Sequence, residues 1–112
     1  MQEDIGKEEM FSKVLALTDL VGYQEGAIVS RTIVDEDTGT VTLFAFDKGQ
    51  GLSEHTAPYD AMIYIIDGEA AVAISGRTFN LKKEQIIMMP ANKPHSVKAI
   101  SRFKMLLVMI KS

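Results

Sequence analysis

The stretch Gly49-Gln-Gly-Leu-Ser-Glu-His55-Thr-Ala57-Pro-Tyr59-Asp60-Ala61-Met-Ile-Tyr-Ile-Ile-Asp67-Gly68 decides how the chain is read. It joins a glycine-rich turn, a lone histidine, a proline turn and an apolar run that closes on Asp67-Gly68. Flanked by apolar residues 61–66 and 69–74, Asp-Gly predicts a β-hairpin, because a type I′ turn needs positive φ at both central positions. A shorter stretch, Pro90-Ala-Asn92-Lys-Pro94-His95, answers it downstream. Both histidines of the chain therefore fall in turn-rich segments beside strands.

Working outward, residues 27–34 are rich in β-branched side chains and stop at the turn cluster Asp35-Glu-Asp-Thr-Gly39. Strands are expected again over 40–46, 77–81 after Ser75-Gly76, 85–89, 96–100 and 103–110. Short strands at frequent turn signals, with no helical pattern after residue 25, predict an all-β sandwich or barrel. Ahead of it, residues 1 to about 10 are polar and acidic and read as a frayed end or the start of a short helix. Residues 11–20 fit a helix or a strand, with Thr18-Asp19 as a capped single turn. The expected organisation is an N-terminal segment over 1–25 and a barrel domain over 26–112.

Two strands are apolar on both faces. Ala61, Ile63 and Ile65 oppose Met62, Tyr64 and Ile66; Phe103, Met105, Leu107 and Met109 oppose Leu106, Val108 and Ile110. An antiparallel strand open to water on one side should alternate with polar residues. The outer face is therefore expected to be covered, by the N-terminal segment or by a second subunit, and a homodimer is predicted.

Composition narrows the function classes. A chain of 112 residues with 46% hydrophobic and 24% charged residues fits one soluble domain. A formal net charge of −3 without clustered Lys or Arg argues against nucleic acid. With no cysteine there is no thiolate nucleophile, thiolate metal site or disulfide framework. No apolar run approaches the roughly 20 residues of a membrane helix, and the start lacks the features of a secretory signal. A cytoplasmic location is expected. No Gly-x-Ser-x-Gly elbow or phosphate-cradling loop opening a helix is present.

The two stretches together resemble the cupins, small antiparallel jelly-roll barrels (double-stranded β-helices) identified by two motifs. The first is a glycine, five residues, His-x-His, three or four residues, Glu, six residues and Gly. Gly49, His55 and Gly68 match it, while Ala57 and Ala61 stand at its second His and its Glu. The second is Gly, five residues, Pro-x-Gly, two residues, His, three residues and Asn. Pro90 and His95 match, with Glu84, Asn92 and Ala99 at the Gly, Gly and Asn places. The resemblance covers roughly residues 28–110 and implies a small single-domain, RmlC-like member of the "cupin 2" conserved-barrel type.

That resemblance implies a site of three imidazoles and one carboxylate on a transition metal, of which only His55 and His95 carry over. Two imidazoles fall short of a catalytic zinc site or a two-His-one-carboxylate triad. Asp60, one residue before the lost Glu place, is the candidate substitute; Glu54 is expected to face the other way, and Asp67 and Glu84 to lie at the barrel ends. The leading expectation is a barrel that binds a small molecule, its metal site degenerate. Its pocket would be lined by His55, His95, Ala57, Ala61, Arg31, Tyr59 and Met105. The alternative is a metal-dependent enzyme, of dioxygenase or isomerase type, holding Fe, Mn, Ni or Zn on His55, His95 and Asp60.

Each candidate also has a plain reading. The histidines can be hydrogen-bonded relics of the barrel interior, and small residues at 57 and 61 can mark a disused site as well as a widened, apolar one. Arg31 can anchor an anion or lie at a strand edge. Met62, Met88, Met89, Met105 and Met109 can line an adaptable pocket or simply fill core.

Overall fold

A computed structural model describes residues 2–4 and 10–111 of the chain. They form strands β1 (Gln2–Asp4), β2 (Ile28–Glu36), β3 (Gly39–Phe46), β4 (Gly51–His55), β5 (Asp60–Asp67), β6 (Glu69–Ile74), β7 (Arg77–Lys82), β8 (Ile86–Met89), β9 (His95–Ala99) and β10 (Phe103–Ile110). One sheet has the order β1-β2-β3-β10-β5-β8 and the other β4-β9-β6-β7. The barrel pairings are antiparallel. Only β1 runs parallel to its neighbour, setting Gln2, Glu3 and Asp4 against Ser30, Arg31 and Thr32. This is the all-β barrel that the strand pattern predicts, with the jelly-roll architecture that the motif resemblance implies. β1 was not expected, and most of the short helix start read over residues 1 to about 10 lies outside the described residues.

The hairpin expected at Asp67-Gly68 does not form. β5 pairs with β10 and β8, whereas β6 pairs with β7 and β9, so this dipeptide carries the chain from one sheet to the other. Gly68 has φ +77°, but Asp67 does not share that sign, so the requirement of a type I′ turn is unmet. Asp67 remains in the ladder opposite Lys104. A Cβ on Gly68 would lie on top of the Arg102 carbonyl oxygen and 2.8 Å from the Cα and Cβ of Phe103. Close passage of two backbones at a corner, rather than hairpin geometry, requires glycine here. Ser75-Gly76 does form a two-residue hairpin, with φ of +49° and +82°, joining β6 to β7 as its sequence predicts.

Strand alternation builds the core. Ala61, Ile63 and Ile65 of β5 face inward with Phe103 and Met105 of β10, Phe46 of β3, and Ala70, Val72, Leu81, Val97 and Ala99 of the second sheet. Phe46 and Phe103, cross-strand partners, stack with centroids 4.4 Å apart and planes at 11°, filling the barrel on that side. The outward faces of the same strands are also apolar. Leu43, Ala45, Ile66 and Leu106 meet Leu17, Leu20, Val21 and Tyr23, so the N-terminal segment covers that half of the outer face. Within that segment the expected single turn exists as a 3₁₀ turn, Leu17–Asp19. It follows Ala16 and has no side-chain cap, so Thr18 and Asp19 do not cap it.

Polar contacts clasp the segment in place. The Tyr23 hydroxyl donates to Asp67 Oδ2 at 2.6 Å, and Lys104 Nζ donates to the Thr18 carbonyl at 2.7 Å. The Arg102 and Lys104 cations each lie 5.0 Å from the Tyr23 ring centroid. Burial, then the hydrogen bond to Asp67 and its charge, push the Tyr23 phenol above its ordinary pKa against the opposing pull of Arg102. Nearby, Asp47 Oδ2 accepts from the Gly26 N–H at 2.6 Å and Oδ1 from Arg102 Nε at 3.0 Å. Those bonds, with one from the Lys48 N–H, hold its carboxyl below the usual range. No helix among the described residues is long and apolar enough to cross a membrane.

Candidate functional site

The site is built where β4 and β9 pair. Gly51 and Leu52 oppose Lys98 and Val97, but His55 then opposes His95, one residue out of step with that ladder. In an unbroken ladder Glu54 would stand opposite His95 and share the inward face of Leu52. The extra residue at Ser53-Glu54 is a β-bulge, and it turns His55 inward in place of Glu54. Directly opposed residues project to the same side of a sheet. The two rings therefore meet, with centroids 4.3 Å apart and planes inclined at 67°.

Each ring is fixed by the backbone two residues before it. His55 Nδ1 lies 2.7 Å from the Ser53 carbonyl oxygen and His95 Nδ1 lies 3.1 Å from that of Lys93. A carbonyl has no proton to give, so in both rings Nδ1–H is the donor, and in the neutral imidazole Nε2 keeps its lone pair. The Ser53 oxygen belongs to the bulge, so the imidazole satisfies a carbonyl at the interrupted part of the ladder. His95 is 9% exposed, whereas His55 stands at the rim.

The loops carrying the two sequence motifs are tied together. Asn92 N–H donates to the Ala57 carbonyl at 2.8 Å, and Ala91 N–H donates to Asp60 Oδ1 at 2.9 Å. Asn92 and Glu84 hold φ of +65° and +70°, so the left-handed backbone that glycine favours occurs here on non-glycine residues. Both stand at motif glycine places.

Between the sheets, on the Met109 side of the barrel, lies a cavity of about 230 Å³. It is lined by Phe44, Leu52, His55, Ala57, Ala61, Ile63, Met89, His95, Val97, Met105, Leu107 and Met109. Five of the expected pocket residues, His55, His95, Ala57, Ala61 and Met105, come together there. Arg31 and Tyr59 do not line it: Arg31 lies on β2 opposite Leu43, and the Tyr59 ring has Lys111 Nζ 5.5 Å from its centroid. Asp60 does not join the imidazoles either. Alternation sends it to the face opposite Ala61, and its carboxylate is engaged by Ala91. Met89, Met105 and Met109 line the cavity, whereas Met62 is half-buried on the outer face and Met88 is 59% exposed. Phe44, Leu52 and Leu107 were not named as pocket residues from sequence; Leu107 shares the strand phase of Met105, and Phe44 pairs with Met105, but the bulge takes Leu52 out of phase with His55, so its position carries no signal in the sequence.

A family model described as "Cupin domain" matches residues 42–111, the stretch that contains β4 to β10 and both histidines. The chain belongs to the cupin family. Among solved structures, this cupin is similar to a conserved protein of unknown function from Streptococcus pyogenes, at 40% identity and TM-score 0.87, covering 90% of this chain and 89% of that one. A cupin superfamily protein from Desulfitobacterium hafniense is 29% identical with TM-score 0.86, covering 90% and 93%. Among curated proteins, "Polyketide synthase CurC" of Streptomyces cyaneus is 29% identical over 69 residues, 61% of this chain and 45% of that protein. The chain thus spans just under half the length of that relative.

Cupins often hold metals, but the donor set here does not fit one with three protein ligands. Ala57 and Ala61 line the cavity at the places of the missing His and Glu. Among the described residues no group of three or more His, Cys, Asp or Glu could hold a metal ion. Two imidazole nitrogens alone leave the coordination shell to water.

Proposed function

We propose that this cupin binds a small, mostly apolar molecule in the mouth of its barrel, through contact with the apolar wall and hydrogen bonds to His55 and His95, without a resident metal. The observation that carries this reading is the cavity of about 230 Å³, whose only polar side chains among the described residues are two facing imidazoles. An apolar pocket with a few convergent polar groups is the usual form of a small-molecule site. That a matched Streptomyces cyaneus protein is named a polyketide synthase is in keeping with a carbon-rich ligand. Thermal-shift screening tests the reading. A ligand at a hundred times its Kd stabilises by about 2.7 kcal/mol, a rise of roughly 10 °C for a domain of this size. A broad panel of apolar and aromatic compounds that leaves Tm unmoved would refute it.

One observation favours a metal-dependent enzyme as the second reading. Both Nε2 lone pairs are available and both Nδ1–H groups are oriented by carbonyls, as in histidines that ligate metals. Near-stoichiometric iron, manganese, nickel or zinc in chelator-free protein, lost on His95→Ala, would put this reading first.

The homodimer expected from sequence stands as a further part of the proposal. Ile86 (55% exposed), Met88 (59%) and Ile110 (57%) extend the outer apolar face beyond the N-terminal cover. A second copy seated there would shield them. Light scattering should then give twice the monomer mass, reverting to one on Met88→Lys; monomeric wild-type protein at micromolar concentration would exclude it.

A further inference from the structure

The donor and acceptor inventory of the cavity names the ligand class, an inference that rests on the metal-free binding reading above. Of the twelve lining residues, only the histidines carry polar side-chain atoms. Both Nδ1–H groups are committed to the Ser53 and Lys93 carbonyls, which leaves two Nε2 lone pairs. Among the described residues, the wall therefore offers two side-chain acceptors and no side-chain donor or fixed charge.

That inventory excludes as much as it admits. With both imidazoles in the neutral form, a carboxylate or phosphate would find no cation and would face lone pairs. An ammonium ligand would be desolvated without a carboxylate to pair it. A sugar would bring many hydroxyls to two partners. A neutral molecule with an apolar body and one or two O–H donors is satisfied in full.

Volume and wall chemistry narrow it further. An apolar cavity of about 150 Å³ accommodates benzene, so about 230 Å³ suits a substituted single ring or two fused rings. Phe44 and the thioethers of Met89, Met105 and Met109 present polarizable surface that favours aromatic contact. His95 is the drier of the two rings, and a hydrogen bond strengthens as its surroundings lose water. We propose that the cavity takes a neutral hydroxylated aromatic of one or two rings, whose O–H donates to Nε2 of His95.

Isothermal titration with 2-naphthol, 2-methoxynaphthalene, naphthalene and 2-naphthoate tests this at pH 8 with EDTA present. The ether has the same ring system and oxygen but no proton to give. Wild-type protein should bind 2-naphthol at least about tenfold more tightly than the ether, since an unsatisfied buried acceptor is the cost of the wrong ligand, and 2-naphthoate most weakly. His95→Phe should bring naphthol and ether within about threefold while naphthalene still binds; His55→Phe should keep most of the preference. Equal affinity for naphthol and ether in the wild type overturns the proposal, as does an unchanged preference in His95→Phe. Tightest binding of 2-naphthoate overturns it too. The wild-type comparison decides even where a variant fails to fold. If naphthalene and naphthol both fail to bind, the cavity reading itself falls; if naphthalene binds without any preference for the hydroxyl, only the ligand class does.

Discussion

Replacing Gly68 by alanine separates a corner between sheets from a hairpin turn. Gly68 and Gly76 have nearly the same φ, +77° and +82°, so the left-handed backbone costs an L-residue about 1–2 kcal/mol at either place. Loss of unfolded-chain freedom returns roughly 0.4–1 kcal/mol, leaving a net cost near 1 kcal/mol for Gly76→Ala, where a Cβ would meet nothing within 4 Å. At Gly68 the Cβ collides with the Arg102 carbonyl and crowds Phe103, which is wholly buried and stacked on Phe46. Backbone shifts forced by overpacking cost a further 1–3 kcal/mol or so, which brings Gly68→Ala to about 3 kcal/mol. Urea denaturation measures both variants, the difference appearing as a lower midpoint at unchanged slope. The Tm of Gly68→Ala should fall by roughly 12 °C. Equal losses for the two variants, within about 0.5 kcal/mol, would refute the corner reasoning, because backbone sign alone would then account for both.

Restoring the family's ligands by Ala57→His with Ala61→Glu should create a metal site, because both residues already line the cavity with His55 and His95. Near one equivalent of nickel or zinc is expected by mass spectrometry, and the metal-free double variant should lose about 1–3 kcal/mol for its buried polar groups; no metal uptake would show that the backbone no longer supports that geometry. Tyr23→Phe should flatten part of the alkaline stability limb. The folded-state pKa of Tyr23 is raised, so its contribution is complete below the unfolded value of about 10 and is lost as pH rises from there toward the folded value; a wild-type advantage over the variant that stays constant from pH 8 to 11 would contradict this. Glu84→Gly should be neutral or stabilising, by up to about 1 kcal/mol, since relief of the left-handed backbone at φ +70° outweighs the added chain freedom. A clear loss of stability would mean that the Glu84 side chain contributes something besides backbone geometry.

The barrel was legible because strand alternation, turn residues and motif spacing agree over most of the chain. Ser75-Gly76 was read correctly since a two-residue turn is a local event. Asp67-Gly68 was misread because the dipeptide specifies only a local bend, while the choice of partner strand depends on residues far away, Arg102 and Phe103 among them. That His55, His95, Ala57 and Ala61 line one cavity followed from family spacing, and Met105 lines it with them. Asp60 was misplaced because a one-residue offset on a strand reverses the face. Arg31 was misplaced because an apolar neighbourhood in sequence does not say whether a strand's inward phase falls on it. The outer cover was anticipated from the two-faced strands, but the clasp of Tyr23, Asp67, Lys104 and Thr18 joins residues whose separation leaves no sequence signal.

The bulge at Ser53-Glu54 has a consequence for how readily this family can change chemistry. β4 is the outermost strand of its sheet and is held by β9 alone. Were it to slip into a flat register, Glu54 would replace His55 opposite His95, and a neutral acceptor pair would become a carboxylate beside an imidazole. Such a mouth would draw protonated bases, which find no carboxylate partner in the present one. A neutral-ligand and a cation-binding specificity thus lie one backbone step apart on the same sequence. A length change of one residue in this strand, rather than a new side chain, is the shortest mutational path between them.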